Sequence, residues 1–386
     1  MNSLVNTFML SKKLKLNELK CAKIHVKSNM CTQLFVQNKE MRHSEQEKYL
    51  GDIIHQNGKQ HATIVDRIAK GYGILANITA ILTDIPLGRR RVEIGLDLRQ
   101  ALWINGILHN SEVWQDLTEQ DKKELNKIDH HILKLIVGSH CRAPTEQLYL
   151  ETATISVTQT ISVRRMVYLQ TILQRSEGEL IRNIYEAMKA EPLPGDWYHL
   201  VQKDFEQLNI DISDIEIRSM TPLDYKSMIK EKMREHAFIQ LKEMQASHQK
   251  GQTTQHENLT CPQEYLLTHK LTNKEKSLLF NLRCQSVKEI RQNFSKMYFG
   301  DIDCRLCNLA IDSQEHTMQC SELKKHTTWN KDVLYENIYG SLEQQVEVTK
   351  VISSLLEVRE RLLEEGNKSD ERGTPTGATI PDSWTF

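Results

Sequence analysis

Proline and glycine are scarce in this sequence, which has 8 Pro and 16 Gly among its 386 residues. Both residues interrupt helices, so their scarcity permits long helices without internal breaks. The sequence also lacks any run of about 18 apolar residues, the length that a membrane-spanning helix needs. Its first residues mix Asn, Ser and Lys into positions that a signal peptide would make apolar. These absences predict a cytoplasmic or nuclear protein with no membrane partner.

A strong net charge is missing too, since 50 Lys and Arg face 51 Asp and Glu. No global electric field therefore draws the chain to a nucleic acid or a membrane. The charge is unevenly spread, however. Residues 1–110 carry 16 basic against 9 acidic residues, and residues 331–386 carry 6 against 11. A basic first part is consistent with a polyanionic partner and also with solvated helix surfaces.

Common catalytic motifs are absent as well. The sequence contains no P-loop, no G-x-G-x-x-G and no G-x-S-x-G pattern, the local signatures of phosphate binding and of a nucleophilic serine. His130 and His131 are neighbours on a predicted helix, where adjacent side chains point in different directions, so we expect surface residues and not a metal pair. The sequence therefore predicts no catalytic centre and indicates no small-molecule substrate.

Apolar residues at helical spacing are abundant. From about residue 61 they recur every three or four positions, as on one face of an amphipathic helix. Before residue 60 the apolar runs are short and rich in β-formers, which predicts a small α+β segment ahead of a mainly α fold. The predicted helices include Val5–Leu16, 87–114, 222–246, 272–300 and 341–364, and the predicted strands are 23–26, 34–36 and 49–54.

Breaks in this pattern predict five segments. The run Pro192-Leu193-Pro194-Gly195 is the strongest break in the middle of the chain, because Pro and Gly together favour a turn. The predicted segments are an α+β segment at 1–60, a helical domain at 61–191, a helical linker region at 192–271, a cysteine-containing module with a last helix at 272–365, and a disordered tail at 366–386.

Three of the eight cysteines lie close to one another and to a histidine. Cys304, Cys307, His316 and Cys320 form the pattern Cys-x2-Cys-x8-His-x3-Cys. A two-residue gap lets one tight turn aim two thiolates at one point, and residues four apart share a helix face. The alternatives are a redox pair, which would accompany a βαβ pattern that is not visible here, and ordinary buried cysteines. Three thiolates and one imidazole fill a tetrahedral shell, so the pattern predicts a structural Zn²⁺ ion.

Several short motifs occur in an order that resembles a known family. They are Leu14-Lys15-Leu16-Asn17 with Lys20-Cys21, then Tyr49-Leu50-Gly51, Ser111-Glu112-Val113-Trp114, and finally the cysteine cluster. Together they resemble the downstream part of reverse transcriptases from non-LTR (LINE-like) retrotransposons, over roughly residues 4–365.

The resemblance implies a role for each segment. Residues 1–60 correspond to a palm remnant in which Tyr49, Leu50 and Gly51 match the primer grip, and residues 61–191 correspond to a helical thumb-like bundle. The cysteine cluster corresponds to the C-terminal zinc finger. In this family the thumb holds primer and template through contacts between its basic side chains and the phosphate backbone. The resemblance therefore implies RNA or DNA as a partner. The candidate phosphate contacts, each alternatively a solvated surface residue, are Arg89, Arg90, Arg91, Arg164 and Arg165.

The sequence departs from the family at its catalytic motif. These polymerases hold two Mg²⁺ ions with the Asp pair of a Y/F-x-D-D motif and an earlier Asp, and this chain has no Asp-Asp dipeptide. We therefore expect a truncated or decayed copy, or a gene whose assigned start is an internal Met, that binds nucleic acid and does not polymerise it. The alternative is a host-retained adaptor that uses the zinc module for protein interaction. The oligomeric state is left open.

Overall fold

A computed structural model describes residues 11–12, 21–27, 33–36, 39–84, 90–115, 117–139, 143–247, 258–298, 301–330 and 332–370. The architecture is mainly α, as the sequence predicts, and the strands among these residues lie between Ala22 and His55. Several predicted features lie outside the described residues: nearly all of the helix Val5–Leu16, residues 248–257 of the linker, Arg89, and residues 371–386 of the tail.

The strands form three two-stranded sheets. Strand β1 (Ala22–Lys23) pairs in parallel with β4 (Arg42–His43), and β2 (Phe35–Val36) pairs antiparallel with β3 (Lys39–Glu40). Strands β5 (Gln46–Tyr49) and β6 (Asp52–His55) pair antiparallel over four residues each, and they form a hairpin. Because each sheet has only two strands, backbone pairing alone gives this region little independent stability.

The hairpin corrects one prediction, since a single strand was expected over residues 49–54. Tyr49 pairs with Asp52, so Leu50 and Gly51 form a two-residue turn. Their φ angles are +47° and +94°, as in the turns that match the twist of a hairpin. Leucine rarely takes a positive φ, and for this reason the local sequence gave no turn signal.

Helices make up most of the rest of the described chain. They are α1 His61–Asp84, α2 Arg91–Leu98, α3 Asn105–Ile107, α4 Glu119–Val137, α5 Thr145–Thr152, α6 Val157–Leu173, α7 Leu180–Ala190, α8 Trp197–Gln207, α9 Asp214–Ser219, α10 Pro222–Ser247, α11 Glu264–Leu267, α12 Asn273–Arg283, α13 Gln314–Gln319, α14 Ser321–His326 and α15 Leu342–Asp370. A π-helical turn, Arg99–Ile104, joins α2 to α3, and 3₁₀ turns occur at Ser111–Val113, Arg291–Tyr298 and Tyr335–Tyr339.

Local chemistry accounts for where several helices begin and end. At the start of α4, Thr118 and Asp121 exchange hydrogen bonds between side chain and backbone N–H, which satisfies donors that a helix start leaves unpaired. Gly138 ends α4 with a φ of +67°, a conformation that favours glycine. The helix predicted over 272–300 ends at Arg283 because Gln285 takes a φ of +48° and Ser286 N–H returns to the Asn281 carbonyl.

The chain divides into two compact units, each built from three segments. Unit 1 comprises residues 1–73, 105–126 and 160–229, and unit 2 comprises residues 74–104, 127–159 and 230–386. The predicted boundaries at residues 60, 191, 271 and 365 stay predictions. The buried apolar side chains of unit 1 include Ile107, Trp114, Met166, Leu169, Trp197, Phe205 and Tyr225, and those of unit 2 include Trp103, Ile132, Ile136, Leu148, Phe280, Ile352 and Leu355.

Candidate metal centre

The first two candidate ligands lie on a tight loop in unit 2. Asp303 and Ile311 form an isolated antiparallel bridge, and inside it Cys304 N–H donates to the Ala310 carbonyl at 2.8 Å. Asn308 N–H donates back to the Cys304 carbonyl at 2.8 Å. These backbone bonds close the turn that directs Cys304 and Cys307 to the same side.

The other two candidate ligands come from helix α13. The Ser313 hydroxyl caps this helix by accepting from His316 N–H at 3.0 Å, which is the usual role of serine before a first turn. Cys320 directly follows the helix, and its N–H donates to the His316 carbonyl at 2.7 Å. The two side chains are thereby held on one face, as their four-residue spacing predicts.

The four side chains converge. One ligand atom from each of Cys304, Cys307, His316 and Cys320 lies within 4.8 Å of the others. The Cys304 and Cys320 sulfurs are 3.9 Å apart, and the Cys307 sulfur is 3.3 Å from His316 Nε2. Thiolates at the 2.3 Å zinc–sulfur distance of a tetrahedral site lie about 3.8 Å from each other. The arrangement can therefore hold a metal ion.

The ionisation of these groups reflects their surroundings. Burial raises the pKa of the Cys304 thiol to about 11, so this thiol keeps its proton at neutral pH until a metal ion displaces it. Burial acts in the same direction on Cys307, but hydrogen bonds, including one from Leu309 N–H, lower its pKa overall. Burial lowers the pKa of His316, which keeps the imidazole in the neutral form that binds metals.

Two of the predicted phosphate contacts lie at the start of α2 in unit 2. The exposed Arg90 is paired with Glu93 at 2.8 Å. The half-buried Arg91 donates to the Leu135 carbonyl at 2.8 Å. Arg90 thus presents a cation to solvent, whereas Arg91 holds α2 against α4.

The other two arginines lie on α6 in unit 1, and both make internal contacts. Arg164 donates to the Leu108 carbonyl and to the Asn105 side chain. Arg165 is buried and pairs with Asp204 at 2.6 Å. In this conformation Arg165 holds α6 against α8, and its guanidinium faces away from solvent.

The primer-grip-like residues form the tip of the hairpin in unit 1. Tyr49 is 64% exposed and Leu50 is 74% exposed, while Gly51 lies in the turn beside Arg67. A cavity of about 410 Å³ adjoins the tip. Both apolar and polar residues line it, among them Val26, Tyr49, Leu50, Trp114, Asp52 and Lys59.

Some buried polar groups were not foreseen from the sequence. Asp129, next to His130, is fully buried and binds Arg99 through two 2.7 Å contacts. Tyr149 donates to the same carboxylate at 3.0 Å. Of the two histidines expected at the surface, His131 is exposed, but His130 is half-buried and packs edge-on against the Tyr149 ring. Arg99 and Asp129 are 30 residues apart in sequence, so no local pattern indicates that they meet.

These features define a mainly helical protein with a Cys₃His site that can hold a metal ion. No family model, curated protein or solved structure matches the chain. Among the helices that the structure describes, none combines the length and the apolar character that a membrane crossing requires.

Proposed function

We propose that the protein is a zinc-containing, nucleic-acid-binding protein that does not polymerise nucleic acid and that derives from the downstream part of a non-LTR retrotransposon reverse transcriptase. The observation that carries this proposal is the convergence of four ligand atoms within 4.8 Å. It supports a zinc module at the position where the resemblance places one.

Zinc is the metal that this donor set favours. Soft thiolates select zinc, copper(I) and iron–sulfur clusters, whereas a mixed thiolate and imidazole tetrahedron is typical of structural zinc. Cys304 and Cys320 are buried, and Cys307 with His316 completes the shell. With four protein ligands no position is left for a reacting water, so the ion has a structural role.

The hairpin tip supports nucleic-acid binding. An exposed aromatic ring can stack on an unpaired base, and neighbouring cations can contact the backbone phosphates. Tyr49 offers such a ring. Lys59 lines the same cavity, Lys48 directly precedes Tyr49 in the strand, and both lysine side chains are exposed. Arg90 is a further exposed cation in unit 2.

The sequence supports the proposed absence of polymerisation. Two-metal nucleotidyl transfer needs several carboxylates converging on one pair of ions, and the chain lacks the Asp-Asp dipeptide that supplies them in this family. In a primer-extension assay with Mg²⁺ and deoxynucleotides we expect no product. Metal-dependent extension by the purified chain would overturn this part of the proposal.

Elemental analysis of the purified protein tests the zinc assignment. We expect one zinc per chain in the wild-type protein and in Cys261→Ser, because Cys261 is an exposed cysteine outside the cluster. Cys320→Ser should lose the metal. Equal zinc content in Cys320→Ser and wild type would refute the site.

Fluorescence anisotropy with a labelled single-stranded RNA tests the nucleic-acid interface. We expect binding at 50 mM salt that weakens at 200 mM as counterion release becomes less favourable. Tyr49→Ala should weaken binding by about 1–3 kcal/mol, while Tyr49→Phe should retain it because phenylalanine also stacks.

A matched pair of lysines provides the control for charge. Lys48 and Lys232 are 49% and 47% exposed, and each pairs with a carboxylate. Lys48→Ala should reduce RNA affinity and Lys232→Ala should not. Equal losses from both, or no salt-dependent binding by the wild type, would contradict the proposed interface.

A second candidate function is a protein-interaction adaptor. Helix α7 exposes Leu180 and Ile184, which lie one turn apart on the same face, and exposed apolar side chains at helical spacing are typical of protein contacts. Co-purification of one protein with the wild type, lost in a Leu180→Glu and Ile184→Glu double variant, together with no RNA binding, would favour this candidate.

A further inference from the structure

A buried carboxylate lies between the second and third candidate ligands. Asp312 is 1% exposed, and its Oδ2 atom accepts from Arg359 Nη2 at 2.6 Å and from Arg291 N–H at 3.1 Å. Its backbone is also fixed, because its N–H donates to the Ile302 carbonyl at 2.7 Å. Asp312 is thus held through both its side chain and its main chain.

Asp312 directly adjoins the helix that carries His316. Asp312 directly precedes Ser313, the residue that caps α13, and α13 carries His316 and leads into Cys320. A shift of Asp312 would therefore move the cap, the helix and two of the four ligand atoms together.

The cation that holds Asp312 comes from the last helix. Arg359 is 4% exposed and lies on α15, on the same face as the buried Val348, Ile352 and Leu355. Its second nitrogen donates to the Glu289 carbonyl. The guanidinium therefore joins α15 to the Glu289 carbonyl and to the Asp312 carboxylate.

We propose that Asp312 and Arg359 form a positioning pair through which the metal site and helix α15 stabilise each other. The inference rests on the proposed metal site. Binding free energies are reciprocal: if the docked helix raises metal affinity by some factor, the bound metal favours docking of the helix by the same factor. Groups that orient ligands without touching the metal typically change metal affinity by about 10- to 100-fold when they are replaced.

Titration of the metal-free, full-length protein with Co²⁺ measures this coupling. The visible absorption of bound Co²⁺ reports its coordination geometry and the amount bound. Competition between Co²⁺ and Zn²⁺ then gives the affinity of the site for zinc. Arg359→Met should lower the affinity for both metals by about 10- to 100-fold. Arg359→Lys should restore part of the loss, because lysine keeps the charge and lacks the planar fork.

Arg361→Met is the matched control, since Arg361 is an exposed arginine two residues along the same helix. We expect its metal affinity to equal that of the wild type. Equal affinities for the wild type, Arg359→Met and Arg361→Met would overturn the inference while leaving the zinc site intact. Failure of the wild type to bind either metal would overturn both the zinc site and the proposed coupling.

A second measurement needs no substitution and so does not depend on how a variant folds. Hydrogen exchange of wild-type residues 342–365 should be faster in the metal-free protein than in the zinc-bound protein, whereas exchange in the hairpin should be the same in both. Identical exchange of residues 342–365 with and without zinc would overturn the proposed coupling.

Discussion

The hairpin (Gln46–His55) and the metal loop (residues 301–320) are both too short to enclose a hydrophobic core, and we propose that different chemistry stabilises each of them. The hairpin exposes Tyr49, Leu50 and Ile54 to solvent. The metal loop buries Cys304 and Cys320 and directs its ligand atoms to one point. Small segments of this kind need additional constraints.

The hairpin depends on several separate hydrogen bonds to other parts of unit 1. Asp52 accepts from Arg67 at 3.1 Å and from Asn110 at 2.5 Å. The Thr63 hydroxyl accepts from Ile53 N–H at 2.8 Å and donates to the Ile53 carbonyl at 3.1 Å. No single one of these bonds accounts for the position of the hairpin, so its stability is distributed.

With the proposed zinc ion bound, the stability of the metal loop is concentrated at one point. In structural zinc sites the apparent binding free energy is roughly 10–16 kcal/mol, which is often most of the local folding energy. Loss of one metal ligand should therefore reduce the stability of the metal loop far more than loss of one hydrogen bond reduces the stability of the hairpin.

Removing a ligand is the largest expected perturbation. Cys304→Ser should abolish tight zinc binding and remove hydrogen-exchange protection from residues 304–326, because zinc binding supplies roughly 10–16 kcal/mol in structural sites, often most of the local folding energy. Exchange in the hairpin should be unchanged, and Cys261→Ser should resemble the wild type. Retained protection of residues 304–326 in Cys304→Ser would show that the stability of the metal loop, like that of the hairpin, does not depend on one site.

A change of pH provides the next largest effect. The metal-free Cys304 thiol, with its pKa of about 11, is protonated throughout pH 6–8, and zinc must displace this proton. Zinc affinity should therefore fall as the pH falls, by about tenfold per unit from this thiol alone. Competition titrations at pH 6, 7 and 8 measure the slope, and a pH-independent affinity would show that Cys304 does not bind the metal as a thiolate.

Loss of the Asp52 carboxylate is the largest single change expected in the hairpin. Asp52→Ala leaves the buried Arg67 without its ion-pair partner, which should cost about 1.5–3 kcal/mol in the free energy of unfolding. Urea denaturation followed by tryptophan fluorescence measures the loss.

Asp66→Ala is the control for Asp52→Ala. Asp66 and Asp52 are 26% and 25% exposed and both are ion-paired, but Asp66 pairs with the exposed Lys48 and Lys70. Surface pairs of this kind contribute about 0–1 kcal/mol. A cost for Asp66→Ala as large as that for Asp52→Ala would mean that burial of Arg67 does not set the difference.

Removing one hydroxyl gives the smallest expected effect. Thr63→Val keeps the shape of the side chain and leaves the Ile53 N–H and carbonyl without this partner, so we expect a loss of about 1 kcal/mol in the free energy of unfolding. Thr79→Val on the same helix should change stability little, because the Thr79 hydroxyl donates to the Leu75 carbonyl of its own helix. Equal losses would indicate that the bond to Ile53 contributes nothing specific.

Features set by neighbouring residues could be predicted from the sequence. The four ligands lie within a short segment, and turn and helix geometry bring them together, so their spacing alone identified the site. The same holds in part for the apolar residues that recur at helical spacing from residue 61 onward, because Ile64, Ile78, Ile128 and Ile132 on α1 and α4 are buried. Local periodicity was sufficient because these contacts follow from the helical repeat.

Pairings between distant residues could not be predicted. Arg165 was a candidate phosphate contact, and it is buried against Asp204, 39 residues away. Arg359 reaches Asp312 across 47 residues. Arginine on a helix has the same local pattern whether it faces solvent or an internal carboxylate, and only tertiary packing separates the two.

The separation between the metal ligands and Arg359 has a consequence for synthesis of the chain. All four ligands precede Arg359, which follows Cys320 by 39 positions. At roughly 5–20 residues per second, the ribosome completes the ligand set about 2–8 s before it adds this arginine. If the loop holds zinc as proposed, a nascent chain can therefore acquire the ion before the last helix is complete. The loaded loop would then be the surface on which that helix forms as it emerges.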